Sequence, residues 1–292
     1  MLPSVYYIVI LQAFEYSVHE MMLVYFAVIV LATVQAAEEK CDGVSINGSM
    51  YTKEVLKPYL DSPYQFTIDY TTNTLFFSYS TQNKDERFKL AYLDLESKEF
   101  NVVPGIKDGF ASAVDQATGK VFLGAKGGVY SFNLKTKQAN LLQPTNQNIW
   151  QMFYKDGLYY STYPKEEAYF IKDGASNRVE ELKEMRAMLI ALDENKNMYF
   201  SNSSGLFKYN KSIKEILPLG DNVVNGMNSD VNGEIYFTSP NGIFKINDKF
   251  NTVERLVTLD NVYAAAIEKD GNILCGTDEG VVRFKKINKC HL

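Results

Sequence analysis

One short pattern occurs six times between residue 60 and the end of the chain. Each copy has an apolar run, a residue that is usually acidic, a turn with Gly or Asn, and a second run typical of a β-strand. The copies are marked by Asp69, Asp115, Lys155, Asp193, Asp230 and Glu268. The intervals of roughly 37 to 46 residues match the length of a four-stranded propeller blade. The sequence therefore predicts an all-β fold, a six-bladed β-propeller.

The fifth copy shows how a blade is expected to be built. Strands are predicted at 226–230, 234–239 and 243–246, joined by the dipeptides Asn232-Gly233 and Asn241-Gly242. Asn-Gly supplies the positive φ angles that two-residue hairpin turns need. A fourth, outer strand follows in several copies, and these strands are predicted at 138–142, 179–182, 213–217 and 253–257.

The last copy has no apolar strand after residue 287. Residues 51–56 precede the first copy and show the alternation of an outer strand, so we expect them to complete the sixth blade and close the ring. Cys41 and Cys290 flank this closure, which favours a Cys41–Cys290 disulfide bond; two free thiols are the alternative. Cys275 lies within an alternating strand and is predicted to be a buried core residue.

The first 37 residues contain no Lys or Arg and are mostly apolar. An apolar run from Met22 to Val34, followed by small residues, predicts a signal peptide at 21–36 that is cleaved after Ala36. Residues 1–20 are interpreted as an upstream extension, because Met21 and Met22 stand where such a signal begins. A membrane anchor is the alternative. Residues 37–292 are then a single propeller domain, secreted to the extracellular space.

Three Asn-X-Ser triplets begin at Asn47, Asn202 and Asn210, and in a secreted chain they predict at least one glycan. The formal net charge is −5 at pH 7, with no basic stripe or polybasic patch. The sequence therefore does not indicate binding to nucleic acid, or to membranes after signal cleavage. We expect a monomer.

The chain contains two histidines, His19 and His291, and both lie outside the predicted blades. This argues against a Ser-His-Asp triad and against zinc sites built on imidazole. No cofactor is expected.

Carboxylates and amides remain as candidate ligands for a metal ion. Six-bladed propellers that resemble the gluconolactonase and paraoxonase families hold calcium in the channel, and Asn225, Asn228 and Asp230 are candidates for such a site. An acid that recurs at the end of a strand in blade after blade is more typical of turn capping. No metal site is therefore predicted, and a calcium-dependent lactone or ester hydrolase is the alternative function.

Inner strands line the axis of a propeller, so equivalent positions near their starts are predicted to meet at one end of the channel. Four of the six positions that lie five residues before a marker are aromatic, and amides adjoin them. Flat apolar walls with a few amides suit a planar, conjugated ligand; core packing between blades is the alternative. The predicted ligand-binding residues are Tyr64, Gln65, Phe110, Trp150, Gln151, Met188, Asn225 and Tyr263.

Several segments carry a family resemblance: Cys-Asp-Gly-Val at 41–44, Lys-Glu-Val-Leu-Lys at 53–57, Asp-Ser-Pro-Tyr-Gln at 61–65, Asn-Thr-Leu at 73–75 with Phe-Ser-Tyr-Ser at 77–80, and Ala-Val-Asp at 113–115. Together they resemble the ommochrome-binding proteins of moth and butterfly haemolymph. The resemblance extends from Cys41 to the C-terminus and excludes residues 1–20. It implies a secreted, non-enzymatic carrier of tryptophan-derived ommochrome pigments, which are planar, acidic, phenoxazinone-type molecules. It transfers no binding residue, so the predicted site rests on the ring of inner-strand positions.

Overall fold

The structure is a computed structural model that describes residues 43–287. These residues form 25 β-strands and one short 3-10 helix. The strands make six sheets, five with four strands and one with five. The first strand of each sheet along the channel contacts the corresponding strand of the next sheet all the way around the ring. The prediction of a six-bladed β-propeller is confirmed.

Two strands, β1 at Val44–Ile46 and β2 at Ser49–Pro58, precede the first complete blade. The first blade contains β3 to β6 at Asp61–Asp69, Thr74–Ser80, Phe88–Asp94 and Phe100–Val102. The second contains β7 to β10 at Gly109–Asp115, Lys120–Ala125, Gly128–Asn133 and Gln138–Pro144. The third contains β11 to β14 at Asn148–Tyr154, Leu158–Tyr163, Ala168–Lys172 and Ala175–Arg178.

The fourth blade contains β15 to β18 at Leu189–Leu192, Met198–Asn202, Gly205–Asn210 and Glu215–Gly220. The fifth contains β19 to β22 at Gly226–Ser229, Ile235–Ser239, Gly242–Asn247 and Thr252–Thr258. The sixth begins with β23 to β25 at Ala264–Ile267, Ile273–Thr277 and Gly280–Lys286. Neighbouring strands within each blade are antiparallel, as four consecutive hairpin-connected strands require.

The sixth blade is completed from the N-terminal side of the chain, as the sequence predicts. Strand β2 pairs antiparallel with β25, with Tyr51 opposite Lys286 and Val55 opposite Val282. Strand β1 then pairs with β2 as a fifth strand that the sequence analysis did not predict. The edge of β25 is therefore covered, and the ring is closed by hydrogen bonds between strands from opposite ends of the propeller.

One predicted outer strand is wrong. Residues 179–182 were expected to form a strand, but the outer strand of the third blade is β14, and Glu180–Leu182 form the 3-10 helix. Asp173 and Gly174 have positive φ angles and make a tight turn, so the chain pairs back earlier than its apolar residues indicate. Leu182 is completely buried by the helical turn, whose three-residue spacing fits the apolar pattern as well as a strand does. The outer strand predicted at 213–217 begins two residues later, at Glu215.

The core consists of apolar side chains between successive blades, for example Phe76, Leu123, Tyr199 and Phe237, each almost fully buried. Cys275 is also completely buried, which confirms its predicted place in the core. The predicted signal peptide, the upstream extension and both ends of the predicted disulfide, Cys41 and Cys290, lie outside the described residues. Within residues 43–287, no helix has the length and apolar character needed to cross a membrane.

Candidate functional site

The channel along the propeller axis has two ends. We call the end at which the inner strands begin the aromatic mouth, because the aromatic side chains predicted as ligand contacts gather there. Phe110 and Trp150 stack with 4.3 Å between ring centroids and 24° between planes. The centroid of the Tyr64 ring lies 5.6 Å from that of the Phe110 ring and 5.2 Å from that of the Tyr263 ring. The structure therefore brings together four predicted residues from four different blades.

Two further aromatic side chains complete this cluster, and sequence reasoning missed both. Phe88 lies 4.6 Å from Phe110, and Tyr163 lies 4.8 Å from Trp150 with 31° between planes. Phe88 begins the third strand of its blade and Tyr163 ends the second strand of its blade, so neither occupies the inner-strand position that the repeat marks. Phe110 and Tyr163 both lie close to the Trp150 indole, with 24° and 31° between the ring planes. The aromatic rings of this cluster therefore pack against one another.

Two of the three predicted amide side chains, those of Gln151 and Asn225, bind backbone groups. Gln151 is almost fully buried, and its Nε2 donates to the carbonyl oxygens of Met152 and Ile190, both at 2.9 Å. Its Oε1 accepts the backbone N–H of Ile190 at 3.1 Å. Asn225 Nδ2 donates to the carbonyl oxygen of Val262 at 2.8 Å. Both amides therefore tie the inner strand of one blade to the chain of the next.

Met188 and Gln65 occupy the remaining predicted positions. Met188 is half-buried, and its backbone oxygen accepts the Ser161 hydroxyl at 2.6 Å. Gln65 is buried in β3 with φ of 57°, and Ser62 in the same strand has φ of 49°. The pairing of β3 with β4 shifts register on both sides of Tyr64, so the strand is bulged twice. Bulges of this kind bend a strand and redirect its side chains.

The bulged strand helps to close the middle of the channel. Asn228 Nδ2, in the fifth blade, donates to the carbonyl oxygen of Phe66 in the first blade at 2.7 Å, although the sixth blade lies between them. The remaining void, lined by Gln65, Phe66, Gln151 and Met227 among others, has a volume of about 10 Å³. This is the space of a single water molecule. The two ends of the channel are therefore separate sites.

A larger cavity opens at the other end, where each inner strand enters the first turn of its blade. We call this end the turn mouth. Its cavity has a volume of about 410 Å³, and all six blades contribute to its wall. A neighbouring cavity of about 500 Å³ lies between the sixth and first blades and shares Tyr70 and Lys269 with it. The wall of the turn-mouth cavity includes Thr67, Tyr70, Met152, Tyr154, Asn228 and Lys269.

The marker aspartates at the turn mouth cap turns, as predicted. Asp115 accepts the backbone N–H of Ala117 at 3.1 Å, and Asp230 accepts that of Asn232 at 2.9 Å. Asp69 accepts the backbone N–H of Thr71 at 2.9 Å, and Asp193 accepts that of Asn197, four residues later, at 2.9 Å. The acid of the sixth copy differs, because Glu268 pairs with a guanidinium instead. These carboxylates hold the hairpins that frame the cavity.

The other charged groups of the cavity wall are paired, with one exception. Lys155 Nζ lies 2.5 Å from Glu194 Oε1, and Lys196 Nζ lies 2.5 Å from Asp156 Oδ2. Lys269 Nζ lies 5.9 Å from the centre of the Tyr70 ring, and within residues 43–287 it forms no ion pair. Lys269 is therefore the cation at this mouth that is available to a ligand.

The tyrosines of the cavity remain neutral at physiological pH. Burial, assisted by the nearby carboxylates of Asp230 and Glu268, raises the pKa of Tyr70. Burial and the Asp115 carboxylate also raise the pKa of Tyr154. The Tyr70 hydroxyl donates to the carbonyl oxygen of Ile267 at 2.8 Å, which fixes its ring at the rim. Both phenols offer flat faces with a polar edge.

The residues considered for calcium do not converge. The amides of Asn225 and Asn228 bind backbone carbonyls, and Asp230 binds the N–H groups of its turn. Across the part of the chain that the structure describes, no cluster of three or more His, Cys, Asp or Glu side chains is placed to hold a metal ion. The geometry therefore assigns these three side chains to the scaffold.

Solved structures confirm the fold. The chain is similar to a gluconolactonase from Xanthomonas campestris, with a TM-score of 0.64 and 11% identity, over 85% of this chain and 96% of that one. It is also similar to regucalcin, a calcium-binding protein from Agrobacterium tumefaciens, with a TM-score of 0.61 and 12% identity over 80% of this chain and 93% of that one. At such identities the likeness concerns the propeller fold alone.

Sequence comparison identifies a nearer relative. No family model matches the chain. The curated ommochrome-binding protein of Manduca sexta is 36% identical over 255 residues, which cover 85% of this chain and 93% of the relative. Identity at this level over nearly the full length of both proteins confirms the resemblance drawn from the segments between residues 41 and 115. The chain belongs to the ommochrome-binding protein family.

Proposed function

We propose that this protein is a secreted, non-enzymatic carrier that reversibly binds an ommochrome-type pigment in the propeller channel. The observation that carries the proposal is the 36% identity, over 85% of the chain, to a protein named for ommochrome binding. Secretion is supported by the apolar leader at residues 21–36 and by the three glycosylation triplets.

The non-enzymatic part of the proposal is supported by how the polar groups are used. The channel amides Gln151, Asn225 and Asn228 bind backbone carbonyls, and the marker aspartates cap turns. Residues 43–287, which form the described blades, contain no histidine. Groups already held in structural hydrogen bonds are poor candidates for proton transfer or for polarising a lactone.

The channel supports the binding part of the proposal, because aromatic side chains line both mouths. Four of the residues predicted from the sequence, Tyr64, Phe110, Trp150 and Tyr263, lie together at the aromatic mouth. The turn mouth has an open cavity of about 410 Å³, within the range of roughly 300–1,000 Å³ that small-molecule sites occupy. The closed middle of the channel leaves the two mouths as the alternative binding positions.

The test is an absorbance and fluorescence titration of the purified secreted protein with a purified phenoxazinone-type ommochrome. We expect saturable binding with one pigment per chain, and recovery of the pigment with unchanged mass after denaturation. Addition of a calcium chelator should not alter the affinity. Absence of binding, together with chelator-sensitive hydrolysis of lactones or esters, would instead support the hydrolase.

A further inference from the structure

We propose that the ligand of this carrier binds in the turn-mouth cavity, with a flat aromatic body between Tyr70 and Tyr154 and an anionic edge toward Lys269. This assignment rests on the proposed carrier function. It places the ligand at the opposite end of the channel from the residues that the sequence indicates.

The first argument is space. At the aromatic mouth the Trp150 ring already lies 4.3 Å from the Phe110 ring and 4.8 Å from the Tyr163 ring, so a ligand that stacks on the indole would compete with these two rings. The middle of the channel holds about 10 Å³. The turn mouth holds about 410 Å³ without any rearrangement. A preformed cavity binds a ligand without the cost of first displacing packed side chains.

The second argument is the fixed position of the aromatic walls. The Tyr70 hydroxyl donates to Ile267, and its backbone N–H donates to Oε1 of Gln116 at 3.2 Å. The Tyr154 ring stacks on Phe122 with 5.5 Å between centroids and 11° between planes. Two aromatic rings held in this way on the wall of one cavity suit a flat, conjugated ligand, because they offer apolar contact at little cost in side-chain entropy.

The third argument is charge. Asp115 and Asp230 are bound by backbone N–H groups, while Glu194 and Asp156 are paired with lysines. Lys269 is exposed and, among the described residues, lacks a carboxylate partner. It lies in a turn that from sequence alone is an ordinary exposed hairpin. An ammonium group beside an aromatic wall favours a ligand whose flat body carries a carboxylate or another anionic edge.

The experiment compares two pairs of matched substitutions by titration with the same purified ommochrome. Ser229→Phe places a large side chain at the turn-mouth cavity, and Met188→Phe does so at the aromatic mouth, from half-buried positions in both cases. Lys269→Ala removes the cation at the cavity. Its control is Lys249→Ala, because Lys249 is also exposed and lies 5.2 Å from the centre of an aromatic ring, that of Phe250, outside the cavity.

We expect Ser229→Phe to weaken binding by about tenfold or more, and Lys269→Ala to weaken it by about fivefold with a smaller dependence on salt. The control Lys249→Ala should bind within about twofold of the original protein, and Met188→Phe, the variant that tests the aromatic mouth, should not weaken binding as Ser229→Phe does. Melting curves establish that each variant is folded. If Ser229→Phe does not fold, Thr71→Trp replaces it, since Thr71 is exposed on the rim of the same cavity.

The outcomes separate this inference from the proposed function. Weak binding in Met188→Phe, with normal binding in Ser229→Phe and Lys269→Ala, would overturn the turn-mouth site and move the ligand to the aromatic mouth. Normal binding in all four variants would overturn it as well and place the ligand outside the channel. In both cases carrier function would stand. Loss of the proposed function itself would show as no binding by the unmodified protein.

Discussion

At the scale of single residues, Trp150 shows how one side chain fits two different roles. Its position at the start of an inner strand predicts contact with a planar ligand, and the structure brings it together with Tyr64, Phe110 and Tyr263. The same structure packs its indole against Phe110 of the second blade and Tyr163 of the third blade. The indole is therefore placed to stabilise the junction of the second and third blades.

We expect Trp150→Ala to lower the free energy of unfolding by about 3–5 kcal/mol, because a large aromatic side chain is removed from a packed cluster. The folded fraction should bind ommochrome with unchanged affinity. Urea unfolding measures the first quantity, and titration below the transition measures the second. A loss of affinity of about 1–3 kcal/mol with little change in stability would support the site predicted from the sequence.

The backbone conformation at Gln65 restricts which side chains this position can accept. Its φ angle is 57°, in the left-handed region, within a strand that is bulged on both sides of Tyr64. We expect Gln65→Val to be destabilising by about 2 kcal/mol more than Gln65→Gly, because a β-branched side chain is strained at positive φ whereas glycine is not. Chemical denaturation of both variants is the measurement. Equal free energies of unfolding for Gln65→Val and Gln65→Gly would contradict the proposal that the backbone at residue 65 is strained for a β-branched side chain.

The candidate site was predictable only where it follows the blade repeat. Tyr64, Phe110, Trp150 and Tyr263 occupy equivalent positions, so the period of the sequence is enough to bring them to one end of the channel. Phe88 and Tyr163 come from other strands and carry no such signal. The turn-mouth cavity depends on the bulges of β3 and on the bond from Asn228 to Phe66, which narrow the channel. The size of this cavity depends on where the pairing of β3 with β4 shifts register, and the amino-acid types at these positions do not predict such shifts.

At the scale of elements, the closure of the ring depends on β2 and on a charged network beside it. Arg283 of β25 donates to Glu268 at 2.8 Å, to the carbonyl oxygen of Leu95 at 2.7 Å and to Glu54 of β2 at 3.3 Å. Lys98 Nζ lies 2.6 Å from the other oxygen of Glu54. The network therefore links the N-terminal strand, the sixth blade and the first blade.

This network makes part of the stability pH-dependent. The hydrogen bond from Lys98 is the largest cause that holds the pKa of Glu54 below its usual value of 4.5. A lowered folded-state pKa gives a stabilisation that is present at neutral pH and lost as the pH falls below about 4.5 toward that pKa. Because the side chain is about one-third exposed, we expect less than about 1 kcal/mol.

The variant Glu54→Gln should accordingly be less stable than the original protein at pH 7, by a difference that shrinks as the pH falls below about 4.5. Glu180→Gln is the control, since its exposed pair with Lys183 lies within one helical turn and outside the closure. Thermal melts of the three proteins across this pH range are the measurement. A difference between Glu54→Gln and the original protein that persists unchanged at low pH would refute the assignment to Glu54 ionisation.

The hairpin of β1 and β2 turns at Asn47-Gly48, a dipeptide that also belongs to a glycosylation triplet. Its φ angles are 46° and 75°, both positive, as a tight turn between antiparallel strands requires. The side chain of Asn47 is exposed at this turn, so the predicted glycan there remains compatible with the fold.

At the scale of the whole molecule, the six blades and their closure follow from the sequence because the fold is a repeat. One blade cannot bury its two faces alone, so six similar segments specify a ring of six blades. The last segment lacks an outer strand, and the chain supplies that strand from its N-terminal side. The relation of this ring to gluconolactonases and to regucalcin is one of architecture. The family was accessible through the resemblance at residues 41–115.

The cysteines provide a test of the whole-molecule closure. We expect non-reducing peptide mapping to recover Cys41 linked to Cys290, and alkylating reagents to modify Cys275 only after unfolding. Cys275 is completely buried, and burial raises the pKa of its thiol, so little reactive thiolate is present. Rapid labelling of Cys275 in the folded protein, or recovery of free Cys41 and Cys290, would contradict this arrangement.

The carrier function is tested most directly by what the protein holds when it is isolated from its native fluid under non-denaturing conditions. The account predicts one visible-absorbing, ommochrome-type molecule per chain, released by denaturation with the mass of the intact pigment. Protein that is colourless at every step, fails to take up added ommochrome and hydrolyses lactones in a chelator-sensitive manner would contradict it.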